Sequence, residues 1–173
     1  MDMSSLYKID KTTKILIDTN ILIFAFYPLN TNQDKVSMYT SILGKLKANN
    51  NQIFISSSVV SEFVNRWLRL DFEKNFQDDK KTKDFKKDYR VSENYKKTIT
   101  LILKTIKKIY NNYNISNIDD SYVEFDIFGR YKNIDIDFND LILIHIAEKN
   151  DLKILTDDKD LKNIENITRS EEH

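Results

Sequence analysis

The 173-residue sequence contains no cysteine, one proline, two glycines and two histidines. Without cysteine, the chain cannot form a disulfide, a thiolate metal site or a cysteine nucleophile. Two histidines are too few for a multi-histidine metal site. The sequence contains neither G-x-G-x-x-G nor G-x-x-x-x-G-K-[ST], so nucleotide binding by these glycine-rich loops has no support.

Long apolar runs are also missing. No run reaches the roughly 18–20 residues that span a bilayer, and residues 1–13 lack the apolar region of a signal peptide. We therefore expect a soluble, cytoplasmic protein without a membrane partner. The hydrophobic share of 40%, with ten Phe and nine Tyr, is sufficient for a packed core.

The net charge is zero, but the charges are unevenly distributed. Residues 80–108 contain eleven basic and three acidic residues, whereas residues 119–160 contain twelve acidic and five basic residues. This pattern is typical of a polyanion-binding segment beside a cation-binding centre. For the basic run taken alone, the solvated face of a helix is the more common explanation.

Short apolar segments alternate with helix-like segments. The segments at 14–18, 52–55 and 153–155 have the length of strands, and longer segments between them repeat apolar residues at helical spacing. This alternation predicts an α/β fold with a mostly parallel sheet. We predict helices over 19–27, 33–47, 59–70, 92–111, 120–128 and 138–149, a linker over 112–119, and a further strand over 163–168.

Acidic residues occupy the positions that such a sheet places at its functional edge. Asp18 ends the first strand, Glu62 lies early in the helix after the second, Asp140 opens an apolar helix, and Asp157 and Asp158 follow another strand. The carboxyl ends of parallel strands form one crevice, so these carboxylates should converge. Taken singly, each acid is also explained as a helix cap, a surface ion pair or a turn residue.

Carboxylates without thiol or imidazole suit Mg²⁺ or Mn²⁺, which prefer oxygen ligands. A divalent cation also removes the repulsion between clustered carboxylates. Such ions activate water and stabilise charge on a phosphoryl group. The predicted chemistry is therefore phosphodiester hydrolysis.

Three blocks of the sequence resemble a known family. They are ILIDTNILI at 15–23, SEF at 61–63 and NDLILIHIAEKNDLKILTDDKDL at 139–161. In this order they are similar to the motifs of PIN-domain ribonucleases, most of all the VapC-type toxins of bacterial toxin–antitoxin pairs. The resemblance implies a PIN-like three-layer sandwich, in which helices flank a central, mostly parallel sheet of four or five strands.

The resemblance also implies roles for individual residues. The acids that hold one or two Mg²⁺ or Mn²⁺ ions and carry catalysis are Asp18, Glu62, Asp140 and Asp158. The supporting residues are Asn20, Thr156, Asp157 and Asp137. Asn20 and Thr156 orient the acids, Asp157 is an alternative fourth acid, and Asp137 is an additional outer acid. We expect a PIN-like domain over 14–168, an N-terminal extension over 1–13, a tail over 169–173, and a charged, partly helical, mobile insertion at about 71–90.

RNA is the expected substrate, and basic side chains should dominate its binding. The candidate phosphate contacts are Arg66, Arg69, Lys86, Lys87 and Arg90. If the chain is a toxin, the resemblance implies a small antitoxin as a partner, and toxins of this kind often form homodimers. His145 has no expected catalytic role.

Three alternatives remain open at this stage. A phosphatase of the haloacid-dehalogenase type also has an aspartate after its first strand, but its D-x-D signature would need an acid where Asn20 stands. A non-catalytic PIN-like module would bind RNA or protein with its acids idle. A stand-alone RNA-processing or defence nuclease would use the same residues as a toxin.

Overall fold

The computed structural model describes residues 10–76, 83–120, 127, 129, 136–159 and 161. Within them, four strands form one sheet: β1 (Ile15–Ile17), β2 (Ile53–Ser56), β3 (Ile115–Ile118) and β4 (Lys153–Leu155). All neighbouring strands are parallel, in the order β3-β2-β1-β4. The predicted α/β class, with a mostly parallel sheet of four or five strands flanked by helices, is confirmed.

Helices flank this sheet. They are α1 (Thr19–Phe26), α2 (Gln33–Ala48), α3 (Ser57–Asn75), a π-helical turn (Phe85–Tyr89), α4 (Glu93–Tyr113) and α5 (Phe138–Lys149). Short polar side chains define several starts, because they accept hydrogen bonds from otherwise unpaired amides of the first turn. The capping side chains are Asn32 for α2, Ser56 for α3, Ser92 for α4 and Asp137 for α5.

The core lies around the two inner strands. All three residues of β1 are fully buried, as expected for a parallel strand covered on both faces. Helix α5 is equally apolar, and five of its residues are buried: Leu141, Leu143, Ile144, Ile146 and Ala147. Both elements occupy the residues predicted for them to within one position. Asp18, which follows β1, and Asp140, on α5, therefore lie on elements that are anchored in the core.

Strand β3 corrects one prediction. Residues 112–119 were expected to form a linker, but Ile115–Ile118 pair with β2 at the edge of the sheet. Only Ile115 of this strand is buried, and Ser116 and Asn117 are exposed. An edge strand with one buried residue lacks the apolar run or alternation that identifies strands in sequence.

The segment predicted as a charged insertion contributes to the core at both ends. Helix α3 continues to Asn75 instead of ending near Leu70. Phe72 and Phe76 pack against the rings of Phe85 and Tyr89, and Tyr89 is fully buried. Residues 77–82 of this segment lie outside the described residues. The aromatic cluster therefore fixes α3 to the π-helical turn.

Asp71 ties the same region together through polar contacts. One of its carboxylate oxygens accepts hydrogen bonds from the Tyr89 hydroxyl at 2.6 Å and from the Thr98 hydroxyl at 2.9 Å. Burial and the hydrogen bond to Asp71 raise the pKa of Tyr89, so its hydroxyl remains a donor. Three elements, α3, the π-helical turn and α4, meet at this carboxylate.

Other predictions fall largely outside the described residues. These are the extension before residue 10, most of the helix predicted over 120–128, the strand predicted over 163–168 and the tail over 169–173. Within the part of the chain that the structure describes, no helix is long and apolar enough to cross a membrane.

Candidate active site

Asp18 lies at the carboxyl end of β1, at the centre of the sheet edge. It occupies the N-cap position of α1, yet its side chain makes no capping hydrogen bond. Instead, one of its carboxylate oxygens accepts a hydrogen bond of 2.6 Å from the hydroxyl of Thr156, which follows β4. Asp18 and Thr156 are both buried. The Asp18 carboxylate is therefore held towards the end of β4.

The Asp18 carboxyl is electrostatically disfavoured as an anion. Burial raises its pKa, the Thr156 hydrogen bond lowers it, and the negative charge of Glu62 raises it again, with a net rise. A buried carboxylate near another acid gains from a neighbouring cation, since the cation offsets both desolvation and repulsion.

Asn20 and Thr156 hold the loop that follows β4. The Asn20 amide donates to the Thr156 hydroxyl at 3.4 Å, and its carbonyl oxygen accepts from the Asp157 amide at 3.1 Å. The Asp158 amide donates to the Thr156 hydroxyl at 2.9 Å. Asn20 and Thr156, two of the four predicted supporting residues, are thus hydrogen-bonded to Asp18 or to the loop that carries Asp157 and Asp158.

Glu62 reaches the same edge from the second turn of α3. One of its carboxylate oxygens accepts a hydrogen bond of 3.1 Å from the hydroxyl of Thr19, the residue after Asp18. The other lies 3.5 Å from the guanidinium of Arg66, one turn further along the helix. Glu62 therefore forms the ion pair with Arg66 that is expected of a surface residue, and it also contacts the end of β1 through Thr19.

Asp140 shows the strongest electrostatic perturbation among these acids. Burial, together with the negative charge of neighbouring carboxylates, raises the pKa of Asp140 to about 7. In order of decreasing effect, these neighbours are Asp18, Asp158, Asp137 and Glu62. Four acids from separate segments thus lie within electrostatic range of one another. We call Asp18, Glu62, Asp140 and Asp158 the acidic pocket.

Asp137 and Asp157 have other partners. The Asp137 carboxylate caps α5 by accepting a hydrogen bond of 2.9 Å from the Asn139 amide. Asp157 forms an ion pair with Lys35 through one oxygen and accepts a hydrogen bond from the Tyr39 hydroxyl through the other. Asp158, unlike Asp157, is among the carboxylates whose charge raises the pKa of Asp140. Asp158 remains the predicted fourth acid.

Sequence reasoning missed Lys35 and Tyr39. Both lie on α2, four residues apart, and both contact Asp157 more than a hundred positions away. Tyr39 appeared in the sequence as one of the apolar positions of its helix, and it is indeed buried. The only local signal was a lysine one turn before a buried tyrosine, and it does not identify a distant carboxylate as the partner.

The donors in the pocket suit a hard divalent cation, because all are carboxylate oxygens. Burial, and to a lesser extent the charges of neighbouring carboxylates, raises the pKa of Asp18 and of Asp140, so a cation would stabilise their ionised forms. Among the described residues, however, no three acidic or histidine side chains are arranged to hold an ion as they stand. Side-chain rotation would have to precede binding.

The predicted cationic residues are all exposed, and they are here called the basic strip: Arg66, Arg69, Lys86, Lys87 and Arg90. The guanidinium groups of Arg69 and Arg90 lie 4.0 Å and 5.4 Å from the centre of the Phe85 ring. Arg66 pairs with Glu62, which joins the strip to the acidic pocket. Trp67 is buried against Tyr27 and Phe63, so it belongs to the core.

Comparison with known proteins agrees with this arrangement. The PIN domain family matches residues 15–167, which include all four pocket acids. PIN domains are generally nucleases that act on nucleic acid, and they typically use divalent metal ions. A search of curated proteins gives no match. The sheet is parallel, acids lie at its carboxyl edge, and the family match covers most of the chain. The chain therefore belongs to the PIN domain family.

Proposed function

We propose that this protein is a metal-dependent endoribonuclease that hydrolyses RNA phosphodiester bonds, and that it acts as the toxin of a toxin–antitoxin pair. One observation carries the nuclease proposal. Three acids from distant parts of the chain, Asp18, Asp158 and Glu62, lie within electrostatic range of Asp140, and burial together with their charges raises the pKa of Asp140 to about 7. A fold that brings carboxylates together at a cost in electrostatic energy indicates a functional site.

The acids would hold Mg²⁺ or Mn²⁺ through their carboxylate oxygens. Such an ion, when bound, activates water and stabilises negative charge on the phosphoryl oxygens and the leaving group. Thr156 fixes the Asp18 carboxylate by its hydrogen bond, and Thr19 fixes that of Glu62. Residues that orient ligands in this way typically influence metal affinity strongly.

Hydrolysis adds one water molecule across a phosphodiester bond. The oxygen of water bonds to phosphorus, the bond from phosphorus to the 3′ oxygen breaks, and that oxygen receives a proton. The products carry a 5′-phosphate and a 3′-hydroxyl, as the family resemblance implies. No side chain needs to form a covalent intermediate, which agrees with the absence of cysteine.

The basic strip supports a polyanionic substrate. Arg66 lies one helical turn beyond Glu62, and Arg69 lies seven residues beyond it, on the same side of α3 and about 10 Å further along the axis. Stacking on Phe85 holds the Arg69 side chain in place while its edge remains available to phosphate oxygens. An RNA strand that follows the strip would enter the acidic pocket at Glu62.

The toxin role rests on the resemblance of the three sequence blocks to VapC-type proteins. Such a toxin would have a small antitoxin as partner, and a homodimer is its expected assembly. Expression of the protein in a bacterial host should arrest growth, and Asp140→Asn should abolish the arrest. Growth unaffected by an active enzyme would favour a stand-alone RNA-processing or defence nuclease.

A non-catalytic RNA- or protein-binding module is the second candidate. The observation in its favour is that, among the described residues, no three acids are positioned for an ion as they stand. Such a module would bind RNA through the basic strip without metal and without cleavage. The two functions differ in their dependence on the pocket acids.

The deciding experiment is cleavage of end-labelled RNAs, structured and single-stranded, with Mn²⁺, Mg²⁺ or EDTA. We expect metal-dependent cutting by the wild type and none by Asp140→Asn or Glu62→Gln. Glu73→Gln is the matched control, because it removes an exposed acid from the same helix. Binding of RNA by wild type without cleavage under any metal condition would support the binding module instead.

A further inference from the structure

Lys35 has an unusual setting for a lysine in the first turn of a helix. Its ammonium forms an ion pair with Asp157 and lies 4.3 Å from the centre of the Phe24 ring. The Phe24 ring in turn stacks on Tyr39, with ring centres 5.8 Å apart. The side chain nevertheless keeps 35% of its surface exposed. Lys35 is therefore fixed in position but open to solvent.

Tyr39 places this arrangement beside the acidic pocket. Its hydroxyl shares the Asp157 carboxylate with Lys35. Burial, the hydrogen bond to Asp157 and the charges of Asp157 and Asp18 raise the pKa of Tyr39, which shows that its hydroxyl lies within electrostatic range of Asp18. Tyr39 therefore remains protonated and acts as a donor to Asp157.

The sheet order puts Lys35 and Arg66 on different sides of the pocket. Lys35 contacts the loop after β4, Arg66 contacts Glu62 on the helix after β2, and β1 with Asp18 lies between these strands. Neighbouring strands are about 4.8 Å apart, so the ends of β2 and β4 are separated by roughly 10 Å. The ion pairs Lys35–Asp157 and Arg66–Glu62 thus flank the pocket.

We propose that Lys35 is a substrate-binding residue that contacts an RNA phosphate on the β4 side of the pocket, and that Asp157, Tyr39 and Phe24 position it. This inference rests on the proposed function and deepens it, because it specifies the path of the RNA strand beyond the basic strip. An RNA strand that enters along Arg66 would pass the four acids and reach Lys35. An ammonium held at this point offsets the repulsion between the acids and the RNA backbone.

The test is binding of a fluorescently labelled single-stranded RNA, measured by anisotropy over a range of salt concentrations. All variants carry Asp140→Asn, so that cleavage does not interfere. We expect Lys35→Met to weaken binding about tenfold at low salt, because it removes a charge-assisted hydrogen bond. The slope of log affinity against log salt should become shallower by about 0.7. Lys35→Arg should retain most of the affinity.

Lys47→Met is the matched control, because Lys47 is an exposed lysine twelve residues later on the same helix, about 18 Å along its axis. It should bind RNA as the parent does. Equal affinities and slopes for Lys35→Met and Lys47→Met would overturn the proposal.

A second comparison separates phosphate contact from a structural role of the ion pair. Asp157→Asn removes the partner charge but leaves an oxygen that can accept from Tyr39. Lys35→Met should weaken binding about tenfold in this background too. If the double variant binds as Asp157→Asn does, Lys35 acts only through Asp157 and the proposal is wrong.

The outcome is distinguishable from failure of the proposed function. Lys35-dependent RNA binding with a wild type that cuts no RNA would refute the nuclease and support the contact. Metal-dependent cleavage with Lys35-independent binding would refute the contact alone. A chain that binds no RNA would refute both.

Discussion

The hydroxyl of Thr156 donates a 2.6 Å hydrogen bond to the carboxylate of Asp18, and both side chains are buried. This bond joins the ends of β1 and β4, the two strands that pair at the centre of the candidate site. It also lowers the pKa of Asp18 against the larger effect of burial. Thr156 therefore helps to keep the carboxylate ionised and correctly oriented.

We predict that Thr156→Val lowers metal affinity about 10- to 100-fold, as expected when a residue that orients a ligand is removed. The free energy of unfolding should fall by about 1–3 kcal/mol, because a buried carboxylate is left without its donor. Titration calorimetry with Mn²⁺ and urea denaturation measure the two effects. Thr156→Ser keeps the hydroxyl, and it should retain most of the metal affinity. Equal decreases for Val and Ser would contradict the prediction, because Ser keeps the hydroxyl that donates to Asp18.

The raised pKa of Asp140 predicts how stability depends on pH. The unfolded chain releases this proton near the ordinary value of 3.8, whereas the folded protein keeps it until about pH 7. Between these values the folded state binds more protons than the unfolded state. The free energy of unfolding of the ion-free protein should therefore fall as pH rises from about 4 to about 7, and then level off.

Thermal unfolding in EDTA at several pH values measures this trend. Asp140→Asn cannot take up the proton, so its dependence on pH should be weaker, and its melting temperature near pH 8 should exceed that of wild type by roughly 2 °C or more. Mn²⁺ should stabilise the wild type more at high than at low pH, because ligand carboxylates must release their protons to bind. Parallel pH profiles for both proteins would contradict the assignment.

Tyr89 and Asp71 provide a prediction on stability alone. Tyr89→Phe removes one of the two hydroxyl donors to Asp71 while keeping the ring in its aromatic cluster. The free energy of unfolding should fall by about 1 kcal/mol or more. Tyr113→Phe, which removes a hydroxyl from a half-buried tyrosine on α4, should change it by less than about 0.5 kcal/mol. Urea denaturation of the two variants gives the comparison.

The basic strip should contribute to RNA affinity through charge. Arg69→Met and Arg90→Met are each expected to weaken binding severalfold at low salt and to reduce the salt slope by about 0.7 for each phosphate that is no longer neutralised. Gel-shift titration with single-stranded RNA at two salt concentrations measures both. Lys47→Met again serves as the control for removal of one positive charge. If the Arg variants have the same salt slope as Lys47→Met, the basic strip is not part of the RNA-binding surface.

Several elements were predictable because local signals agreed. Asp137 followed by a long apolar segment predicted α5 at the residues where it occurs, since a cap and a buried helix give independent signals. Asp18, Glu62 and Asp140 were selected by their places after strands and at helix starts. Their roles in chemistry remain predictions, but their convergence follows from the parallel sheet.

Other features depend on contacts that local sequence does not specify. The last turn of α3 contains Asp71, Glu73 and Lys74, whose charge concealed the packing of Phe72. The ion pair of Lys35 joins residues 122 positions apart, and a lysine near a helix start is ordinarily solvated. Only the tertiary contacts of the folded chain reveal these two features.

The order of the strands has a consequence for when the pocket can exist. Thr156 and Asp18 are 138 positions apart, and β1 pairs with β4. A nascent chain that has emerged only as far as β3 has Asp18 and Glu62, but neither Asp140 nor Asp158. Asp18 and Glu62 alone do not make the complete acidic pocket. If the proposed activity needs all four acids, it begins only in chains whose synthesis has passed Asp158.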